Sequence, residues 1–489
     1  MKNHGYARRC PAIFCPLQRR RQMFKDKRPG KWILLGSLLV IIMLGLLIFF
    51  GMQAQAAKNQ PFLPIKEVKT KAGISVWLAE DHSLPIVALR FVFLDAGSAN
   101  DPDDRQGLAR MLSNTMDEGA GKLDSQSFQK ALSDNSITLS FNASRDGFGG
   151  ELKTLKRNEA KAFDLLAMAI NEPRFDAEPL ARMRDGNLSR IKSSLSEPDW
   201  MAARVVNDKA FEGHPYSKNS GGTISSLGRI TADDLRNFKK NNLSRDRLLI
   251  AVSGDIDQAT LESAIDKIFA KLPEKSAGSA IKDTSITNGG KIYLFEQDIP
   301  QTFIEVMLPA FDHKDKDYYA LELMNYIYGG AGFGSRLMET AREQRGLTYG
   351  IYSGTQDYRH TDALNVSTST KTASTQEMLT IIKDEMVKMQ NTPVDAKELQ
   401  DAKSYITGSM PLALSSTDKI AAMILQLRVD SLPIDYLDHF ADYINAVTPE
   451  DILRVSKRIL KPELATTVLV GKPENIQNVI TVKELPNVQ

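Results

Sequence analysis

The chain has almost no cysteine, and the little it has lies outside the part that we expect to fold. Cys10 and Cys15 are the two cysteines among 489 residues, and both belong to the N-terminal tail. The rest of the chain therefore cannot form disulfides, and a metal site there cannot use thiolate ligands. Lipidation or metal binding would be alternative roles, but we interpret the two thiols as incidental residues of a disordered tail.

A strong net charge is also absent. The formal net charge is +2, and most of the basic excess belongs to the first 31 residues, in which Asp26 is the only acid. Without this tail the chain is mildly acidic, which argues against a nucleic-acid-binding surface. The basic residues of the tail are Lys2, Arg8, Arg9, Arg19, Arg20, Arg21, Lys25, Lys27, Arg28 and Lys31.

Histidine is scarce and widely spaced, so the sequence contains no local zinc motif. An H-x-x-E-H or H-x-x-x-H spacing places two imidazoles on one face of a helix, which lets that helix supply two zinc ligands. None of the six histidines has a second histidine at such a spacing, and we interpret each as a surface or core residue. They are His4, His82, His214, His313, His360 and His439.

The N-terminal region does contain a long apolar run. Residues 32–52 carry no charge, and at roughly 1.5 Å per residue a helix of this length crosses the hydrocarbon core of a membrane. The preceding basic residues should stay in the cytoplasm and direct the rest of the chain outward. Residues 53–56 (Gln-Ala-Gln-Ala) are typical of a cleavage site, so a signal peptide cut near Ala56 is the alternative to the signal anchor that we favour.

Beyond Ala57 the hydrophobic pattern predicts alternating strands and helices in two halves. Apolar residues alternate from Val87 to Phe93 as in a half-buried strand, and residues 108–115 have helical spacing. Residues 272–290 are rich in Ser, Lys, Thr and Gly without any period, which predicts a linker. We therefore divide the chain into a tail with signal segment (1–57), a first half (58–271), the linker, and a second half (291–489).

An internal repeat supports this division. Residues 230–235 (Ile-Thr-Ala-Asp-Asp-Leu) are echoed by residues 447–452 (Val-Thr-Pro-Glu-Asp-Ile), and the register continues without gaps into a following strand. Thr231 and Thr448 are the predicted helix N-caps, each with an acidic residue three positions later.

Two further segments of the second half carry candidate binding residues. The glycine-rich residues 329–336 are not followed by Lys-Ser/Thr, so we interpret them as a turn rather than a phosphate-binding loop. Arg342 lies near a predicted helix end, and Tyr349 opens a predicted strand. A guanidinium and a phenol at such a junction could hold a peptide carboxylate or carbonyl, but chemistry alone favours a surface arginine and a packed tyrosine.

Four segments, in this order, give the chain after Ala57 a resemblance to a known family. The sequence resembles the pitrilysin/insulinase metallopeptidases, which include the mitochondrial processing peptidase. The segments are 93–98 (Phe-Leu-Asp-Ala-Gly-Ser) with 107–109 (Gly-Leu-Ala), 211–216 (Phe-Glu-Gly-His-Pro-Tyr) with Gly222-Thr223, 329–337, and 345–349 (Arg-Gly-Leu-Thr-Tyr).

The resemblance implies a metallopeptidase fold with a degenerate zinc motif. The family's H-x-x-E-H positions fall on Arg110, Ser113 and Asn114, and the position of its distal glutamate ligand aligns best with Met183. None of these residues is a typical zinc ligand or a base, so we expect no catalytic residue and no zinc in this chain. The chain alone should be inactive; a peptidase with a rearranged metal site is the minor alternative.

By the same resemblance, Arg342 and Tyr349 match an arginine and a tyrosine that bind the substrate backbone in active members. The implied fold is α+β, with two homologous domains, each an antiparallel sheet packed with helices, facing each other across a clam-like chamber.

The expected function is a non-catalytic, substrate-binding subunit of a heterodimeric zinc metallopeptidase, with zinc in the partner subunit. It would act on peptides in the periplasm, held by a single pass in a bacterial inner membrane. The alternative is a membrane-associated scaffold or peptide-binding protein without a proteolytic role.

Overall fold

The computed structural model describes residues 61–489 of the chain. The predicted basic tail and apolar run, with Cys10, Cys15 and the candidate cleavage site at Ala56, lie outside these residues. Among residues 61–489, no helix combines the length and the apolar character needed to span a membrane.

The sequence pattern of alternating strands and helices is present in the structure. The strands are β1 (Lys66–Lys69), β2 (Ser75–Glu80), β3 (Ile86–Leu94), β4 (Thr138–Ala143), β5 (Gly147–Leu155), β6 (Leu248–Gly254), β7 (Ile292–Glu296), β8 (Gln301–Pro309), β9 (Ile351–Tyr358), β10 (Thr361–Lys371), β11 (Thr466–Gly471) and β12 (Val479–Thr481). The helices are α1 (Leu108–Thr115), α2 (Ser125–Asp134), α3 (Glu159–Asn171), α4 (Ala177–Ser194), α5 (Pro198–Ala210), α6 (Ile224–Arg229), α7 (Ala232–Asn242), α8 (Gln258–Phe269), α9 (Tyr318–Asn325), α10 (Arg336–Met338), α11 (Thr375–Asn391), α12 (Ala396–Ser409), α13 (Thr417–Val429), α14 (Tyr436–Ala446) and α15 (Pro449–Ile459).

The strands of each half form one six-stranded sheet. The first sheet has the order β1-β2-β6-β3-β5-β4, and the second has the order β12-β7-β11-β8-β10-β9. The predicted α+β architecture with two helix-packed sheets is confirmed. The sheets are mixed rather than purely antiparallel, because β6 runs parallel to β2, and β7 runs parallel to both β11 and β12.

The internal repeat is present as two equivalent helix–strand units. The Thr231 hydroxyl accepts a hydrogen bond from the Asp234 amide at 3.2 Å, and the Asp234 carboxylate accepts one from the Thr231 amide at 2.8 Å. Thr448 and Asp451 form the same capping box at the same two distances. Each helix leads to a strand, β6 or β11, that holds the third place in its sheet.

The predicted linker has no regular secondary structure between the end of α8 and the start of β7. It is nevertheless held in place, since Ile281 and Ile286 pack against a cluster that contains buried residues of both halves. The Thr284 amide also donates a hydrogen bond to the His360 carbonyl at 2.9 Å. The domain limits that we assigned around this segment stay a prediction.

Each half lends one helix to the sheet of the other half. Helix α5 of the first half contacts β8 and β11, and its Val205 lies in one buried cluster with Val468. Helix α13 of the second half contacts β3 and β6, and its Ile424 packs against Ala251. The two halves are therefore braced together by a reciprocal exchange of helices.

The matching capping boxes lead to the first testable prediction. Replacing Thr231 or Thr448 with Ala should each lower the free energy of unfolding by about 1 kcal/mol, because each change removes an N-cap acceptor. Denaturant unfolding of the two variants measures this loss. Ser189→Ala, at an exposed position of α4, is the control and should change stability by less than either cap variant. Clearly unequal losses at Thr231 and Thr448 would argue against equivalent roles of the two boxes.

Candidate functional site

Helix α1, which carries the family's zinc positions, begins at a tightly packed glycine. Gly107 has a φ of +88°, and a Cβ at this position would lie 2.7 Å from the Cα of Gly222. The buried Asp101 carboxyl accepts hydrogen bonds from the amides of Gly107 at 2.8 Å and Ala109 at 2.9 Å. Burial raises the pKa of Asp101 to about 7, against the opposing effect of these hydrogen bonds. The start of α1 is thus held by the close approach of Gly222 to Gly107 and by the hydrogen bonds to the Asp101 carboxyl.

At the predicted zinc positions, the side chains of Ser113 and Asn114 form hydrogen bonds. The buried Ser113 hydroxyl donates to the Arg110 carbonyl at 2.9 Å, within its own helix. The Asn114 amide donates to Oδ1 of Asn187 on α4 at 3.2 Å. Asn187 also accepts a hydrogen bond from Arg190 at 2.7 Å.

The residue on α4 that faces Asn114 is therefore Asn187, one helical turn after Met183. Met183 instead packs against the hydrophobic core of the first half. The alignment of the distal ligand position with Met183 stays a prediction, and the contact between Asn114 and Asn187 makes Asn187 a second candidate for this position.

These residues do not fit a zinc ion. Arg110 places a guanidinium at the first ligand position, and neither Ser113 nor the Asn114 and Asn187 amides supply the imidazole and carboxylate ligands of catalytic zinc. Among residues 61–489 no group of three or more His, Cys, Asp or Glu side chains could hold a metal ion. Burial and, secondarily, the nearby Arg190 lower the pKa of Arg110, so cations already crowd this position.

Arg342 and Tyr349 lie together at the other candidate site. The Arg342 guanidinium carbon is 4.9 Å from the centroid of the Tyr349 ring and 4.4 Å from that of Phe333. Both distances lie within cation–π range. Both rings are exposed, Tyr349 at 85% and Phe333 at 65% of its surface. Two exposed rings therefore hold one guanidinium between the helix end and the next strand.

The chain around this pair turns sharply and leaves part of the guanidinium unsatisfied. Gly346 ends the helical segment with a φ of +62°, and its amide donates to the Arg342 carbonyl at 2.9 Å. Nη1 of Arg342 is buried without a hydrogen-bond partner in residues 61–489, although Nε lies 3.5 Å from the Glu343 carboxylate. Tyr349 precedes β9, which begins at Ile351 rather than at Tyr349 as expected.

The structure does not bring Arg342 and Tyr349 to the empty zinc positions of the same chain. Arg110 lines a cavity of about 450 Å³ between the halves, and no residue between 332 and 350 lines it. Gln356, near the far end of β9, does line it. Ile351 and Gln356 are five positions apart on β9, which corresponds to about 17 Å at 3.3 Å per residue.

Sequence reasoning missed several residues of these two sites. Phe333 was treated only as part of a glycine-rich turn, although an aromatic residue exposed among glycines was a signal for a contact surface. The arginines that line the cavity with Arg110 gave no local signal, because they come from separate elements. They are Arg145, Arg190 and Arg204.

Comparison with known families places these observations in context. Residues 76–223 match the family model described as insulinase (peptidase family M16), and residues 229–406 match the one described as peptidase M16 inactive domain. The chain belongs to the insulinase family of peptidases. It is an inactive type of insulinase-family member, and the assignment of the family's catalytic positions to Arg110, Ser113 and Asn114 stays a prediction.

Individual relatives belong to the same family, and one of them is named as a non-peptidase. A protein of Helicobacter pylori named non-peptidase homolog YmxG is 28% identical over 381 residues, which cover 76% of this chain and 84% of that protein. The mitochondrial-processing peptidase subunit beta of Dictyostelium discoideum is 24% identical, over 53% of this chain and 56% of that protein. A crystal structure of a peptidase M16 inactive domain from Pseudomonas fluorescens superposes with a TM-score of 0.79 at 26% identity, covering 85% of this chain and all of that one (100%).

Rebuilding the zinc motif tests the placement of Asn187. Arg110→His, Ser113→Glu and Asn114→His together restore H-x-x-E-H, but the third ligand is still missing. We expect Asn187→Glu, and not Met183→Glu, to give the fourfold variant tight zinc binding, because Asn187 faces α1. Zinc retained after desalting, measured by atomic spectroscopy, distinguishes the two variants.

The unchanged chain is the control and should retain far less than one equivalent of zinc. Tighter zinc binding by the Met183→Glu variant than by the Asn187→Glu variant would contradict our placement of the facing turn.

Proposed function

We propose that this chain is the non-catalytic, substrate-binding subunit of a heterodimeric zinc metallopeptidase of the insulinase type, acting on peptides in the periplasm. The observation that carries this proposal is the contrast between the two sites. The zinc positions have lost every ligand, whereas Arg342 keeps an unsatisfied donor between two exposed rings. A chain that only maintained its fold would gain nothing from such a donor.

The Arg342 site has the chemistry to hold a peptide backbone. The Arg342 side chain is 25% exposed, and its guanidinium can donate a hydrogen bond to a peptide carbonyl oxygen. The hydroxyl of the exposed Tyr349 can donate another. The rings of Phe333 and Tyr349 offer apolar faces to the neighbouring peptide atoms and restrict the guanidinium to one position. Backbone contacts of this kind orient a substrate without selecting its sequence.

The proposed partner is a homologous subunit that bears zinc. It would supply the metal and the base that this chain lacks, and this chain would supply the Arg342 site and part of the chamber wall. Two observations support pairing: the relative from Dictyostelium is a subunit by name, and the Arg342 site lies away from this chain's own Arg110 and is free to face another chain.

The proposed location follows from the N-terminal sequence. The uncharged residues 32–52 after a basic tail support a single-pass anchor in a bacterial inner membrane, with the bulk of the chain in the periplasm. Cleavage near Ala56 would instead release the chain into the periplasm.

A second candidate function is a membrane-associated scaffold or peptide-binding protein without a proteolytic role. The name of the Helicobacter relative, a non-peptidase homolog, favours it. This function predicts stable association with other proteins, but no stimulation of peptide cleavage by a zinc-bearing homologue.

The test combines the full chain with a zinc-bearing homologue from the same genome. Wild-type chain should stimulate cleavage of a peptide, and Arg342→Ala should lower kcat/KM of the pair by roughly 10-fold or more, because it removes a charge-assisted hydrogen bond. Tyr349→Phe removes a neutral hydrogen bond and should lower kcat/KM by about 2- to 10-fold.

Two nearby residues provide matched controls. Arg345→Ala removes an exposed arginine that pairs with Glu377, and Tyr352→Phe alters another exposed tyrosine; both should leave kcat/KM nearly unchanged. Equal cleavage by the Arg342 and Tyr349 variants and the wild type would refute the substrate-binding role. A complex that forms without stimulated cleavage would favour the scaffold.

A further inference from the structure

The cavity beside Arg110 is built from both halves of the chain. Its first-half wall comes from α1, the β4–β5 turn, α4 and α5, and its second-half wall comes from β8, β9 and β10. The volume of about 450 Å³ is large enough for a small organic ion or for one or two amino-acid side chains. Residues 219–221 also line the cavity. Four arginines of the first half line the cavity: Arg110, Arg145, Arg190 and Arg204.

None of these four arginines forms an ion pair with an acidic residue within residues 61–489. Arg204 is only 6% exposed, and its one hydrogen bond goes to the Lys218 carbonyl at 3.3 Å. Arg145 donates to the Tyr358 hydroxyl at 3.2 Å, while its buried Nε has no partner in the described chain. Arg190 donates to the amide oxygen of Asn187. The hydrogen-bond partners of these three arginines are therefore neutral groups, although the charge of Asp208 also acts on Arg204.

The one carboxyl group that lines the cavity does not compensate these charges. Glu305 on β8 accepts a hydrogen bond from the Asn365 amide at 3.0 Å. Burial raises the pKa of Glu305 to about 8, so the protonated, neutral form predominates at neutral pH. The cavity thus combines four guanidinium groups with a single carboxyl group whose ionisation is disfavoured by burial.

Such an arrangement is unfavourable without a ligand. Burial and, to a smaller extent, the charge of Arg145 lower the pKa of Arg204 to about 10, still well above neutral pH. A buried cation without a counter-charge costs free energy, and four cations around one space repel one another. An anion in the cavity would remove both penalties.

We propose that this cavity is a binding site for an oxyanion, a carboxylate or phosphate group, held by Arg110, Arg145, Arg190 and Arg204. Guanidinium groups bind both oxyanions through paired, charge-assisted hydrogen bonds. The site does not depend on the Arg342 site, and its ligand is either a free small anion or the acidic side chain of a bound peptide.

Two ligands identify the source of the anion. The purified full chain in detergent is titrated calorimetrically with inorganic phosphate, and separately with a short Glu-containing peptide whose matched version carries Gln. Tighter binding of phosphate than of chloride indicates a free anion. A preference of about tenfold or more for the Glu peptide over the Gln peptide indicates an acidic peptide side chain. If neither preference is observed, the proposal is wrong.

Substitutions of the cavity arginines test whether the anion binds in the cavity. Arg110→Gln and Arg145→Gln should each lower the affinity for the preferred ligand by about tenfold, because each removes a charge-assisted hydrogen-bond donor. Arg345→Gln, which removes an exposed arginine far from the cavity lining, is the control and should bind as the wild type does. Unweakened binding in both cavity variants would place the anion elsewhere and overturn the proposal.

A stability measurement guards against a loss of binding caused by misfolding. Without ligand, Arg110→Gln should unfold at the same temperature as the wild type or at a higher one, since it relieves repulsion among the arginines. With saturating ligand, the wild type should gain more in melting temperature than the variant. The proposal would be contradicted if the variant had a lower melting temperature than the wild type without ligand and the same increase in melting temperature with ligand.

Discussion

The reciprocal exchange of helices between the two halves is the constraint on which the rest of the structure depends. Helix α5 covers the second sheet, and helix α13 covers the first, where the Arg428 guanidinium donates to the carbonyls of Ser75 at 2.9 Å and Ile250 at 2.6 Å. Because each helix is buried against the other half, the halves cannot separate without exposing both apolar faces. This brace gives the cavity fixed walls from α1 and α4 on one side and from β8 on the other.

At the predicted zinc positions, this wall is closed by an arginine and by hydrogen-bonded amides instead of metal ligands. A guanidinium cannot coordinate a metal, so Arg110 alone excludes the family's chemistry at the first ligand position. The remaining positions form a chain of hydrogen bonds from Asn114 to Asn187 and on to Arg190. The neutral side-chain amides of Asn114 and Asn187 thus connect α1 to α4 by a hydrogen bond. In a zinc-binding family member, ligands to one metal ion would make this connection.

Local features of the fold could be predicted from the sequence, whereas contacts between distant elements could not. The capping boxes at Thr231 and Thr448 depend on residues three positions apart, and both are present as predicted. The contact between Asn114 and Asn187 had no local signal, because it depends on how two helices pack. The arginine cavity had no sequence signal, since its members are spread over almost a hundred residues of a mildly acidic chain.

The spacing of the two candidate sites restricts how a single ligand could use both. Tyr349 and Gln356 lie near opposite ends of β9, so about 17 Å of strand, from Ile351 to Gln356, lies between the Arg342 site and the cavity. An extended peptide needs about five residues to cover this distance, whereas a helical peptide would need about eleven. An extended peptide held at both sites would have its backbone at Arg342 and an acidic residue about five positions away in the cavity. The length of β9 would then set the register of such a peptide.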